Sequence, residues 1–400
     1  MTENQPKPEN EDISIWGAGC AGLSLARALA PHLASGRISA KAAIYGALTP
    51  AIEHSHIWGF WQTGWLAEAA QLSRKSWQYW QIITPFGRVT QKSERFAYHG
   101  LESAVWLKDC LKQAEGQLAF KQGDPELGAG DGSGDDSGDG SGDDSGDGSG
   151  DEDGQGLGLV LDSRTPEVPE HSLLQHFKGW EIKTDKAVFD ANILTLMDFR
   201  CDQSRGIHFI YLLPFSENTA LVESTFFSEQ TEDNAFYEQA IKTYLKDIYH
   251  VQDFQILREE AGCIPMNFLS PRDPSLLAIG ANGGCVRASS GYAFAFIQKQ
   301  VQQIARHLAE GQKITKIPVP HRAVDRWLDR VFLAVLKAHP EAAPDIFLRM
   351  AKALSGDELA KFMSGLADLS IYAKLILAMP KQIFIAQIIP AFKRSKIKRD

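Results

Sequence analysis

Cysteine is scarce in this sequence. Its 400 residues hold five, Cys20, Cys110, Cys201, Cys263 and Cys285, an odd number with no CxxC pair among them. Disulfides therefore do not organise the fold, and a reducing cytosol is the expected home. The N-terminal stretch MTENQPKPENED lacks the basic start and apolar core of a signal peptide. No uninterrupted apolar run reaches the ~18 residues that a membrane-crossing helix needs. There is also no basic stripe with interleaved aromatics, which argues against nucleic-acid binding. Positive charge is in deficit only locally. The formal net charge is −9, yet residues 122–154 carry 12 acidic residues and no Lys or Arg; outside that stretch 38 acidic residues face 41 basic ones, leaving +3.

That acidic stretch, GDGSGDDSGDGSGDDSGDGSGDED, repeats Gly, Asp and Ser and has almost nothing apolar to bury. It cannot offset its ordering entropy and reads as a disordered, solvated loop. Calcium binding is the sharper reading of so much Asp. The stretch lacks the spaced ligands and flanking helices of an EF-hand, and the large apolar residue per repeat of a calcium-binding β-roll.

On either side, strand and helix patterns alternate. A strand over Asp12–Trp16 leads through a Gly-rich turn into a helix reaching about Leu33, and Lys41–Tyr45 forms a second apolar strand. Short strands over 78–91 meet at Pro85-Phe86-Gly87, and a helix runs from about Leu101 to Ala114. After the acidic stretch come the strand LGLVLDSR and the strands IHFIYLLPF and TALVESTFF, joined at Ser216-Glu217-Asn218. Residues 231–247 and 289–310 suit helices, and most of 320–390 reads as several more. Such alternation, interrupted by an antiparallel block, predicts an α/β nucleotide-binding domain carrying a second, sheet-based domain.

The strongest motif is Gly17-Ala-Gly19-Cys-Ala21-Gly22, which follows the first strand and opens a helix. Gly17 permits the tight turn, Gly19 lets a pyrophosphate approach the backbone, and Gly22 lets helix and strand pack closely. The phosphate then rests on free N–H groups at the helix start. A lone GxGxxG is weak evidence, but its strand and helix context makes a dinucleotide site the expectation. The second strand should end in an acid for the adenosine ribose. It reads Ala43-Ile44-Tyr45-Gly46-Ala47 instead, and Glu53 is the nearest later candidate.

Further blocks resemble the lycopene cyclase family, flavoproteins on the fold of the aromatic-ring hydroxylases. They include His56-Ile-Trp58-Gly-Phe60-Trp61, Pro85-Phe-Gly-Arg88, Asp162-Ser163-Arg164 and His176-Phe177-Lys-Gly179-Trp180-Glu181. Leu196-Met-Asp198, Leu221-Val-Glu223-Ser-Thr225, Glu260-Ala-Gly262, Gly280-Ala-Asn-Gly283-Gly284 and Arg287-Ala-Ser-Ser290-Gly291-Tyr292 follow in the order of bacterial β-cyclases. The lead-in Glu53-His54-Ser55-His56 departs from many relatives. The resemblance implies an α/β fold: a Rossmann-like FAD-binding domain of the aromatic-ring hydroxylase kind, an inserted antiparallel β-sheet substrate domain and a helical C-terminal region. Its expected bounds are 10–62 with 99–121, 155–170 and 272–312 for the FAD domain, and 63–98 with 171–271 for the sheet domain. The insert is 122–154 and the helical region 313–400. FAD is expected to be held by Gly17, Gly19, Ala21 and Gly22, by Asp162 and Arg164, and by Gly280, Gly283 and Gly284. The flavin is expected to act reduced and without net turnover, NAD(P)H entering only as reductant.

The activity so implied is closure of β-ionone rings on the ends of lycopene or a related linear carotenoid. It needs a proton delivered to an isolated double bond, a dry cavity, and groups that tolerate a carbocation. A carboxyl in an apolar pocket supplies the first, because burial keeps it protonated. Aromatic faces supply the last through cation–π attraction. Glu223 is the expected catalytic acid, with Leu221 and Phe227 on its own face of the strand; a solvent-facing or salt-bridged Glu is the plainer alternative. Trp58, Phe60 and Trp61 are expected to line the substrate site, against the alternative of core packing. His54 and His56 lack a third partner and make no metal site. Asp198 and Glu260 are each either a partner behind the site or a structural hydrogen-bonder. The basic tail AFKRSKIKRD after apolar helices, with so apolar a substrate, suggests peripheral attachment of a cytoplasmic protein to a membrane surface. Rival readings are a redox hydroxylase or reductase of isoprenoids, which would consume NAD(P)H, and a pigment-binding protein without catalysis.

Overall fold

The computed structural model describes residues 11–47, 55–123 and 158–396, with side chains through residue 389. Glu53, His54 and residues 124–157, most of the acidic stretch, lie outside the described residues, as do the side chains of the basic tail.

Five strands form a parallel sheet in the order Leu277–Ala278, Leu159–Asp162, Ile13–Trp16, Ala42–Tyr45, Ala119–Lys121. The first strand is buried along its whole length, as an apolar run covered on both faces should be. Helix Cys20–Ala34 makes the crossover from the first to the second strand. Its Leu23, Leu25 and Leu29 are wholly buried, in a core shared with helices Ser103–Ala114 and Phe294–Ala309. Each such side chain contributes roughly 1.5–3 kcal/mol. This is the Rossmann-like half of an α/β fold. The strands flanking the acidic stretch, Ala119–Lys121 and Leu159–Asp162, lie at different places in one sheet with two strands between them.

A seven-stranded sheet makes the second layer, in the order 255–266, 173–183, 219–228, 207–214, 193–198, 79–84, 87–92. It is antiparallel except for one pair, since 193–198 runs parallel to 79–84. The expected antiparallel sheet is therefore a mixed one. One face packs Trp180, Ile182, Val222 and Leu212 beneath helix Asn234–Tyr249. The opposite face joins a core with the C-terminal helices 323–338, 343–353, 356–363 and 369–378. A three-stranded sheet of 57–61, 98–102 and 75–77 bridges the two layers. The helix expected from Leu101 begins at Ser103, because Leu101 and Glu102 end the strand that pairs with 57–61.

Candidate active site

The glycine turn has the shape its sequence requires. Gly17 has a φ of +100°, and a Cβ there would lie 2.7 Å from Ser163 Oγ. A Cβ on Gly22 would collide with the Gly17 carbonyl oxygen, whereas one on Gly19 meets nothing within 4 Å. Helix and strand are thus locked together at Gly22, and space stands open at Gly19. The helix start has no side-chain cap and no acid in its first turn, so its N–H groups and dipole favour an anion. Gly280, at φ +65°, presses against the Ala21 side chain, which brings the 280–284 loop to the same helix start. A Cβ on Gly283 would strike the Ala278 carbonyl, while Gly284 faces open space.

Asp162 is wholly buried, and its oxygens accept bonds from the Arg164 backbone N–H at 3.0 Å and from its guanidinium at 2.9 and 3.1 Å. Its carboxylate therefore shapes the turn beside Gly17, with Ser163 Oγ donating to the Trp16 and Gly17 carbonyls.

A cavity of about 470 Å³ runs from Cys20, at the helix start, onto the face of the large sheet. Sheet register builds its floor. Phe209, Thr225, Phe177 and Gly262 stand in one row across four strands, and Tyr211, Glu223, Gly179 and Glu260 in the next. Strand 57–61 and the 289–294 loop form the roof, and Phe347, Met350, Leu359 and Met363 close the far wall. Trp58 and Trp61 line this space, as does His56. Phe60 does not, contrary to expectation. It is 1% exposed and packs on His99 and Phe294, in the core behind the roof.

The second row holds two acidic side chains. Glu223 and Glu260 flank Gly179 on neighbouring strands, and a Cβ on Gly179 would lie 2.6 Å from Glu223 Cγ. The missing side chain leaves room for both carboxyls, and Glu260 acts electrostatically on Glu223 across it. Glu260 Oε2 also accepts the Ile57 N–H at 3.1 Å and lies 3.3 Å from Arg258 Nη2. These contacts tie Glu260 to the roof strand and to Arg258. Burial first, and the Glu260 carboxyl second, hold Glu223 well above its ordinary 4.5. Arg258 is in turn 3.4 Å from Glu181, which Arg74 grips at 2.6 and 2.9 Å.

Beside Glu223, the Tyr98 hydroxyl bonds those of Tyr211 and Tyr292 at 2.9 and 3.0 Å. Gly59 makes room for them, since a Cβ there would strike the Tyr98 hydroxyl. Burial raises all three phenols well above 10, so they stay neutral. Sequence reasoning assigned no role to this triad, to Gly59 or to Gly179. A glycine inside a strand is nonetheless a signal of close approach. Three buried polar atoms around the cavity, Trp61 Nε1, Thr225 Oγ1 and Ser290 Oγ, have no partner. Asp198 lies apart from the cavity, bonded to Arg200 and the Tyr244 hydroxyl, and is structural.

Residues 148–387 match the model of the lycopene cyclase protein family. A lycopene beta-cyclase of Pseudescherichia vulneris is 27% identical over 135 residues, 31% of this chain and 33% of that protein. The chain spans between 32% and 51% of the length of the curated relatives it matches. Among solved structures, a geranylgeranyl bacteriochlorophyll reductase-like protein of Thermoplasma acidophilum aligns at a TM-score of 0.57 and 12% identity, over 95% of this chain and 99% of that one. The flavin-dependent brominase Bmp2 aligns at 0.56 and 12%, over 96% and 99%. These two likenesses concern the fold.

Proposed function

Because the chain belongs to the lycopene cyclase protein family, we propose that it closes β-type rings on the ends of lycopene or a related linear carotenoid, without net redox change. The observation that carries this reading is the buried carboxyl of Glu223 in an aromatic cavity, two strands from the Glu260 carboxyl. The first glycine turn, open at Gly19 and leading into that cavity at Cys20, supports FAD as the cofactor. So do the orphaned polar atoms of Trp61, Thr225 and Ser290, because a hydrocarbon offers them no partner and a polar ring edge does. Gly17, Gly19, Ala21, Gly22 and the 280–284 loop would hold the dinucleotide. When bound in reduced form, FAD supplies negative charge near a developing cation, with NAD(P)H serving only to reduce it.

Glu223 delivers its proton to the terminal isolated double bond. The neighbouring double bond attacks the resulting tertiary cation, a ring C–C bond forms, and a proton leaves the adjacent carbon. Product and substrate have the same formula. Trp61, Phe177 and Phe227 line the same cavity, and aromatic faces tolerate a developing cation. Glu260, on the far side of Gly179, helps to keep the Glu223 carboxyl protonated until substrate arrives. The leaving proton is released, and Glu223 is reprotonated from solvent before the next ring closes. Expression in lycopene-accumulating bacteria is expected to yield β-carotene or a one-ring product; unchanged lycopene beside flavin-loaded protein would contradict the proposal.

The substrate dissolves in lipid, so the reading includes peripheral membrane attachment. Among the described residues no single helix is long and apolar enough to cross a membrane, but 369–378 and 381–389 form an apolar pair bent by 111°. Leu369, Leu377, Ile385 and Ile389 are exposed on it. The protein is expected to sediment with membranes and to leave them on alkaline wash. A fully soluble protein that cyclises lycopene dispersed without lipid would argue against attachment.

A further inference from the structure

A second cavity, of about 180 Å³, lies among the C-terminal helices. It is bounded by Phe332, Leu375, Met379, Phe384 and Ile385, and it shares Ser289, Ser290, Phe347, Met350 and Met363 with the first. Its two charged wall residues are already occupied. Asp329 is bonded to Ser289 at 2.7 Å and Arg287 at 3.4 Å, and the Lys381 ammonium donates to the Ile376 and Leu377 carbonyls at 3.4 and 3.3 Å. The rest of the wall is largely apolar. At the outer rim Ile376 is 48% and Ile385 62% exposed, although both belong to the cavity wall. The cavity that holds Glu223 thus adjoins a second, largely apolar one whose outer rim lies on the bent helices.

We infer that this second cavity is a binding subsite for the trailing half of a long linear polyene, which enters and lies through the rim formed by helices 369–378 and 381–389. The inference rests on the carotenoid reading above. A conjugated polyene is a stiff rod and cannot coil inside the first cavity beside a cofactor. When its end group sits at Glu223, the remainder must continue in line through an apolar exit. The shared wall of Phe347, Met350 and Met363 is where the two spaces adjoin.

The test compares wild type with Leu375→Trp, which fills the subsite, and with Ile385→Asp, which places a carboxylate on its exposed rim and leaves the core untouched. Flavin-loaded, reduced protein is given lycopene in phosphatidylcholine vesicles, and separately a short acyclic isoprenoid with the same end group and no long tail. Both variants are expected to raise KM for lycopene at least ~10-fold, the scale of losing a few buried carbons. Flavin content and turnover of the short substrate should stay at wild-type values. Wild-type KM for lycopene in both variants would overturn the subsite while leaving the cyclase reading intact. Pigment co-purifying from lycopene-accumulating cells gives a readout free of chemistry. If wild type retains lycopene without cyclising it and both variants lose it, the subsite stands and the cyclase reading falls.

Discussion

Glu223→Gln is expected to lower ring closure at least ~100-fold, the usual scale for losing a general acid, while flavin content stays at the wild-type level. The amide keeps the size of the carboxyl, so the row Tyr211, Glu223, Gly179, Glu260 remains packed. It has no acidic proton to give. The pH dependence follows from the same group. Glu223 is held above 4.5 by burial and by Glu260, so it works as an acid below its folded pKa, and activity falls as pH rises through that value. Stability has the same sign. A carboxyl whose folded pKa is raised favours the folded state fully below its unfolded value near 4.5, and that contribution is lost as pH rises through the folded pKa. The variant, which cannot ionise there, should gain in thermal midpoint relative to wild type as pH increases. Pigment analysis across pH and parallel melting curves check both. A Gln variant that cyclises at the normal rate makes Glu223 structural.

Gly19→Val is expected to abolish flavin binding while the fold survives. Gly19 has φ −86° and ψ −163°, an extended conformation that valine adopts without strain, and its Cβ would point into open space. The side chain would fill the volume through which a pyrophosphate approaches the helix N–H groups. Gly22→Val is the contrast, because its Cβ would collide with the Gly17 carbonyl and destabilise helix and strand together. Absorbance of the purified variants separates the two: the Gly19 variant should be colourless and folded, the Gly22 variant poorly folded. Full flavin content in Gly19→Val would place the cofactor elsewhere.

Much of the fold was legible because the signals were local. The strand before Gly17 is apolar except at Ser14, and the turn at Ser216-Glu217-Asn218 sits between two strands of matching pattern. Strand 173–183 was harder to read. Lys178 and Glu181 interrupt its apolar pattern, and their burial depends on ion pairs with Glu238 and Arg74 that are set by tertiary neighbours. The roof strand 57–61 carries aromatics on both faces. Trp61 therefore faces the cavity while Phe60 packs behind it, and sequence alone gave all three aromatics one role. The acid pair was hidden for a related reason. Glu223 and Glu260 are 37 positions apart, and only the registers through Gly179 bring them together. The parallel pairing of 193–198 with 79–84 likewise depends on a long-range crossover that no periodicity records.

The most direct test of the central claim is ring closure by the purified, flavin-loaded and pre-reduced protein in heavy water, with lycopene in vesicles and NAD(P)H monitored. Proton addition from Glu223 followed by proton loss predicts a cyclic product that carries one deuterium for each ring formed, with no nicotinamide consumed in proportion to rings. A product that has gained oxygen or two hydrogens, or nicotinamide oxidised in step with product, would contradict the account.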